Sequence, residues 1–350
     1  MISPPLKPTC ARLGLWIAWL SFSLVLCIRT WAAAEEENLP DELRTNGSET
    51  LRTVIPVQKD LAQSLVGLGS SADSVVLCGT IVSPDGYIVT KASEAVHISP
   101  MKVILPDGAA LPARVVRRED AMDLLLIKVD RQGLKPQIWS ESLGLKAAQW
   151  LCSPTDRAKE MRLGVLSAHR RRVRNSGAVM GILMAKADGA ELKGVLIEHV
   201  AIESPAEVAG LQDNDLLLSI NGHPVGRQEM VKSLLSQSRP GDLIKIRYAR
   251  EGKELDGEVR LASRSRVEMG AGDFANHGTS MRTDDFPEVL QHDMPLSPAD
   301  MGAPVLDLEG HAVGLNIARV DRVTNFALPT EVFRAKVEKW IAEDARINPK

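Results

Sequence analysis

The chain has 350 residues, 44% of them hydrophobic and 25% charged, with a formal net charge of -3 and an isoelectric point near 6.2. This is the balance of an ordinary globular protein; no basic or acidic excess points to a nucleic-acid partner, and the length favours about two domains. Nothing in the residue pattern calls for a cofactor or a metal, and the four cysteines are too few for a disulfide-built scaffold.

Residues 1–34 have the layout of an export signal. Lys7 and Arg12 precede the apolar run Leu13 to Ile28, and Ala32, Ala33 and Ala34 supply a small-residue cleavage site. The expected location is therefore outside the cytoplasm, periplasmic or secreted, with membrane contact only through an uncleaved signal. Cys10 and Cys27 leave with the signal, and the sequence does not decide whether Cys78 and Cys152 pair. Residues 35–72 read as a flexible polar leader in which Ile55, Val57, Leu61, Leu65 and Leu68 suggest a short helix or an extended arm.

From Ser74 the chain changes to short β-branched runs separated by Gly, Pro and Asp turns: VVLCGTIV, YIVT, MKVIL, ARVV and DLLLIKV. Such spacing predicts an antiparallel barrel over residues 73–146. A second barrel is expected from residues 147–173 together with 265–345. Within it, Glu268 to Asp285 reads as a polar, glycine-rich linker, and Thr330 is expected to cap a final helix with Phe333, Val337, Trp340 and Ile341 on one face.

Residues 174–264 form a different unit. Ser204, Pro205 and Glu207 make a helix-start signature, with Gly210 as the stop. Asn221-Gly222 is a type I′ hairpin signal. In Gln228 to Ser236, Met230, Val231, Leu234 and Leu235 recur at helical spacing.

Four stretches carry a resemblance. Gln291 to Asn316, QHDMPLSPADMGAPVLDLEGHAVGLN, is similar without a gap to the nucleophile segment of the HtrA/Deg family of trypsin-like serine proteases. GTIVSPDGYIVTKASEAV and ARVVRREDAMDLLLIKVD resemble that family's histidine and aspartate segments. GAVMGILM with GVLIEHVAIESPAEVAGLQDNDLLLSINGHPV resembles a PDZ domain. The resemblance implies a mostly β fold: a trypsin-like double β-barrel with a PDZ domain inserted in the second barrel and a C-terminal helix.

It also implies a broken catalytic triad. The nucleophile position holds Met301 and the general-base position holds Ser93; only the orienting acid, Asp123, is kept. A thioether has no proton to lose, and an aspartate that orients no base does nothing for acyl transfer. Asp123 is then a turn residue holding backbone donors. A rebuilt pair from His97, His292 and Ser297 is the competing reading.

For the PDZ unit the resemblance implies peptide capture by strand addition along Ile182, Leu183 and Met184. The amides of Val179, Met180 and Gly181 would receive a terminal carboxylate, and Met230 and Leu234 of the helix would wall the groove. Leu234 reads equally well as core. The expected function is that of an inactive protease homologue that binds C-termini or unfolded segments of other exported proteins. The alternatives are an active serine endopeptidase and a non-catalytic scaffold or oligomer subunit, alone or with HtrA relatives.

Overall fold

The computed structural model describes residues 40, 47–52, 54, 63–71, 73–95, 98–155, 160–185, 193–264 and 278–348. The chain divides into two compact units, residues 1–50 and 51–350. A five-residue helix, α1 (Ser48–Arg52), runs over that division. The signal-like segment, Ile55, Val57, Leu61 and His97 lie outside the described residues.

The second unit begins with a closed barrel of β1 (Leu65–Gly69), β2 (Val75–Ile81), β3 (Tyr87–Lys91), β4 (Lys102–Ile104), β5 (Ala110–Glu119) and β6 (Leu124–Val129), ordered β1-β2-β3-β6-β5-β4. All pairs are antiparallel, and β1 closes the ring by pairing with β4. Leu65–Gly69 was expected in the leader and is instead the fully buried first strand. Gly67 and Gly69 allow it to lie close: a Cβ on Gly67 would stand 2.9 Å from Val75, and one on Gly69 would meet the Ser74 carbonyl. A short helix, α2 (Ala92–Ala95), follows β3 directly.

The second barrel opens with β7 (Trp150–Pro154) and β8 (Met161–Val173). The chain then leaves it. β9 (Ala178–Val179), β10 (Ile182–Met184) and β11 (Val195–Val200) lead to α3 (Pro205–Val208), β12 (Leu216–Ile220) and β13 (His223–Pro224). After these come α4 (Gln228–Ser236), β14 (Leu243–Arg250), β15 (Lys253–Arg260) and β16 (Ala262–Ser263). The main sheet of this module is ordered β10-β11-β12-β14-β15, so β10 stands at its edge. Its apolar core, including Met180, Ile197, Leu217, Val231 and Ile246, is its own.

Ser204 accepts the Glu207 amide at 3.2 Å, the N-cap bond read from the sequence, while the Glu207 carboxylate accepts from Glu203 rather than from Ser204. Asn221 and Gly222 both have positive φ, +48° and +80°, the backbone a type I′ turn requires.

β17 (Phe286–His292), β18 (Pro304–Leu306), β19 (Ala312–Arg319) and β20 (Asn325–Pro329) complete the second closed barrel, ordered β17-β20-β19-β18-β7-β8. The described end of the return segment is no solvated linker: Thr279, Ser280, Arg282, Thr283 and Asp284 are buried. Arg282 explains this, because its guanidinium donates to the carbonyls of Asp120, Ala121, Asp284 and Asp285.

The chain closes on α5 (Thr330–Ile347), which buries Phe333, Val337 and Trp340. Thr330 lies inside the helix and donates its hydroxyl to Ala312, so it is not the cap. Near the other end, Asp344 accepts from Arg114 and from Tyr87 at 2.8 Å. The Arg114 guanidinium, ahead of the Tyr87 hydroxyl, holds the Asp344 carboxyl down at about 2, so the helix is tied to β3 and β5 by charge as well as by packing. Cys78 and Cys152, one in each barrel, are buried and not joined in a disulfide, and burial pushes the Cys152 thiol up to about 12.

Candidate functional site

The three positions that the resemblance assigns to a triad lie as follows: Ser93 in α2, Asp123 in the turn before β6, and Met301 after the 3-10 turn Pro298–Asp300. Ser93 and Asp123 are in contact. The Ser93 amide donates to one Asp123 oxygen and the Ser93 hydroxyl to the other, both at 2.8 Å. Asp123 holds a left-handed backbone, φ +55°, which places its carboxylate over the start of α2.

A residue that sequence reasoning missed completes this cluster. Lys91, wholly buried, puts its ammonium 2.6 Å from Asp123 and 3.4 Å from Glu94, and donates to the Arg282 carbonyl at 3.1 Å. The acid that would orient a histidine is thus paired with a lysine from the preceding strand. A buried cation needs such partners, since desolvating it alone costs several kcal/mol. The sequence signal was present in Lys91-Ala92-Ser93-Glu94: a cation two residues from the base position, on a strand that reads as core.

Met301 is fully buried in one apolar cluster with Ala92, Ala95, Leu290, Met294 and Leu296. The loop around it is closed by its own hydrogen bonds. Four successive amides are all donated within the protein: Asp300 to Ser297, Met301 to Pro298, Gly302 to Asn316 and Ala303 to Asp300. The Met301 carbonyl accepts from Cys78, and the Gly302 carbonyl from Thr80. Gly302, φ +89°, is required here, because a Cβ would stand 2.2 Å from the Cys78 carbonyl oxygen. A loop that stabilises an oxyanion needs amides aimed at an empty position; in this stretch the amides are taken.

The inserted module covers what remains. A Cβ built on Gly241, φ +94°, would lie 2.9 Å from the Ser93 Cβ, so the turn between α4 and β14 rests on the general-base position. Arg239 pairs with Asp120 at 3.5 Å and Arg118 approaches Asp242 at 4.0 Å, holding the turn to the first barrel. Met281 donates its amide to Glu94 at 3.0 Å from the other side. Ser93 keeps only 1% of its surface exposed.

The competing histidine and serine are not brought together. His292 lies in β17 with Nε2 2.9 Å from the Asn316 Oδ1, and complete burial lowers its pKa to about 4. Ser297 donates its amide to Asp300 at 2.7 Å, the capping-box bond of the 3-10 turn, and its hydroxyl to the same carboxylate oxygen at 2.8 Å.

The second candidate is a groove of about 660 Å³ between β10 and α4. Val179, Met180, Gly181, Ile182, Leu183 and Met184 all line it. From the helix, however, the lining is Val231, Lys232, Leu235 and Ser236; Met230 is 40% exposed away from it, and Leu234 packs against the module core. The helical period explains the offset: the inward stripe runs through Gln228, Val231, Lys232 and Leu235, one residue later than the Met230 and Leu234 pair.

The backbone of β10 shows which groups are available. Ala185 donates to Leu196 and the Gly181 carbonyl accepts from Ala201, so the odd positions face β11. Amide and carbonyl of one residue point the same way in an antiparallel ladder, so Ile182 and Met184 face the open edge. The Gln228 side chain already donates to the carbonyls of Met184 and Ala185, each at 2.7 Å, so at that end of β10 the edge is partly taken.

The carboxylate loop is shorter than expected. β9 pairs with β16 in the register Val179 opposite Ala262, and Arg264 donates to Gly177 in the same ladder. That pattern places the Val179 amide in the ladder, leaving those of Met180 and Gly181 for an incoming group. Gly181 has φ +82°, a conformation that turns successive amides toward one point.

A protein-family model described as PDZ domain matches residues 178–261. The chain is similar to proteins named probable periplasmic serine endoprotease DegP-like. The one from Chlamydia pneumoniae is 24% identical over 339 residues, 74% of this chain and 67% of that protein. The one from Hahella chejuensis is 23% identical, covering 52% of this chain and 56% of that protein. The chain thus spans roughly half to two thirds of the length of these relatives. A solved HtrA-type protease AlgW with decapeptide aligns over 59% of this chain and 98% of its own at 15% identity and a TM-score of 0.30, too loose a match for comparing sites. The PDZ match falls on the inserted module, the DegP-like likeness extends across most of the chain, and together with the paired barrels they support an HtrA/Deg-type protease homologue with a PDZ domain.

Proposed function

We propose that this chain is an exported, proteolytically inactive protease homologue whose PDZ module, taken as residues 174–264, binds C-termini or extended segments of other proteins. The observation that carries the reading is the cluster at the triad positions: Asp123 paired with Lys91, Ser93 under Gly241, and Met301 in the core. Export is supported by the signal-like residues 1–34 and by the periplasmic location in the relatives' names.

The groove supports the binding half. It combines an open strand edge, two loop amides and an apolar wall of Val231 and Leu235, the parts that strand addition requires. None of these depends on the triad. An active endopeptidase is disfavoured by the same cluster, since acyl transfer needs a nucleophile, a base and an oxyanion site in one place.

Gly181→Trp tests the groove, because an indole at that turn fills the space in front of the loop amides. In fluorescence anisotropy with a labelled peptide ending in a free Leu-Val carboxylate, affinity is expected to fall by about tenfold or more, close to 1.4 kcal/mol. Unchanged binding in a folded variant contradicts capture at this groove and favours the scaffold reading.

A further inference from the structure

The groove's fixed charges are of one sign. Lys232 and Arg264 line it together with His199, and no carboxylate is among its described lining residues. The three side chains differ. His199 is paired with Asp213 at 3.2 Å, and Arg264 donates to the Ser176 carbonyl at 3.2 Å. Lys232 makes no ion pair among the described residues, and it is exposed on the groove side of α4.

The direction of Lys232 follows from Gln228. Residues four apart on a helix share a face, and Gln228 reaches across to the Met184 and Ala185 carbonyls. Lys232 therefore overhangs the same channel, one turn nearer the carboxylate loop. Beyond it, Leu235 and Ser236 also line the groove, and α4 packs against β9, the strand that leads into the carboxylate loop.

Distances along the helix convert this into a peptide position. A terminal carboxylate on the Met180 and Gly181 amides sets the last side chain against Val231 and Leu235. Lys232 lies three residues before Leu235, about 4.5 Å along the axis, while a bound strand advances about 3.3 Å per residue. The ammonium is then beside the side chain one or two positions before the end.

We propose that Lys232 makes this groove selective for C-terminal peptides carrying aspartate or glutamate one or two positions before an apolar last residue. The proposal rests on the reading that the groove takes free C-termini and adds the charge of the ligand to it. A carboxylate there meets a cation with no ion pair among the described residues and no acid among the described lining residues, whereas a lysine there meets Lys232 and Arg264.

The test uses the purified full chain and three labelled peptides that differ at the penultimate residue, Asp, Asn or Lys, before a terminal valine, each also made with an amidated end. The Asp peptide is expected to bind about three- to fivefold more tightly than the Asn peptide, the range of an exposed ion pair, with the difference closing as salt is raised. Lys232→Glu should reverse the order of the Asp and Lys peptides. If Asp and Asn peptides bind equally while amidation still abolishes binding, selection by Lys232 is wrong and capture of C-termini stands. If the preference survives in Lys232→Glu, another residue makes it and the assignment fails. If no peptide binds with a free or an amidated end, the groove reading itself falls, and this inference with it.

Discussion

The barrel cluster around Met301 and the groove beside β10 are built from the same materials, a glycine with positive φ, a run of backbone amides and an apolar wall, yet they differ in what is left over. In the first, four successive amides donate within the protein, Asp123 has a lysine partner and the PDZ turn stands on Ser93. In the second, one strand edge and two loop amides face a channel. Recognition requires unsatisfied groups held in place, whereas stability requires the opposite. The comparison teaches that, on the proposed reading, the barrel cluster is closed by becoming core as well as by holding Ser93 and Met301 at the triad-like positions.

The sharpest break in that comparison is at Lys91. If Asp123 now serves structure, Lys91→Met should cost about 3–5 kcal/mol in denaturant unfolding, the cost of leaving a buried charge without its partner. Lys91→Met/Asp123→Asn should recover much of it, because the remaining amide can still accept the Ser93 N–H. A loss below about 1 kcal/mol in Lys91→Met would mean the pair is incidental.

His292 provides the next test, because it is buried neutral beside Asn316 rather than poised as a base. Its folded pKa, about 4, lies below the unfolded value, so the unfolded chain binds the proton first. The stability it contributes is present above about pH 6.5 and is lost as pH falls toward 4, a change of about 3 kcal/mol. His292→Gln should flatten that slope. An unaltered slope would place the titration elsewhere.

A smaller effect is expected at the covering turn. Gly241→Ala forces a side chain into a left-handed backbone 2.9 Å from Ser93, costing about 1–2 kcal/mol. In a Ser93→Gly background the cost should shrink, since the facing Cβ is gone, and a double-mutant cycle reads the coupling directly. Additive effects would show that the module does not press on the general-base position.

Legibility followed the range of the physics. Period-two strands, the Ser204 start, the Asn221-Gly222 turn and the apolar face of α5 are local patterns, and each is where the residues put it. Lys91 was missed because, apart from the nearby Glu94, its partners Asp123 and Arg282 lie 32 and 191 residues away, so the local signal in Lys91-Ala92-Ser93-Glu94 does not name them. Leu65–Gly69 read as leader because its glycines break the strand signal, although it is close approach to Val75 and Ser74 that requires them. The helical stripe of the groove was displaced by one position because four apolar residues in Gln228–Ser236 fit two neighbouring faces, and only the bond from Gln228 to Met184 selects between them. The Val179 amide was misassigned for the same reason: its partner, β16, enters more than 80 residues later.

The measurement that bears most directly on the central claim is degradation of an unfolded casein-like substrate by the purified chain, run beside the Ser93→His/Met301→Ser double variant. The natural chain should leave the substrate intact. The double variant should also fail to cleave it, because a histidine at position 93 has no room beneath Gly241 and the Met301 loop has no amides free for an oxyanion. Cleavage by the natural chain, tracking the protein through purification, would contradict the account outright, and efficient cleavage by the double variant alone would show that the barrel site is merely unarmed and not closed.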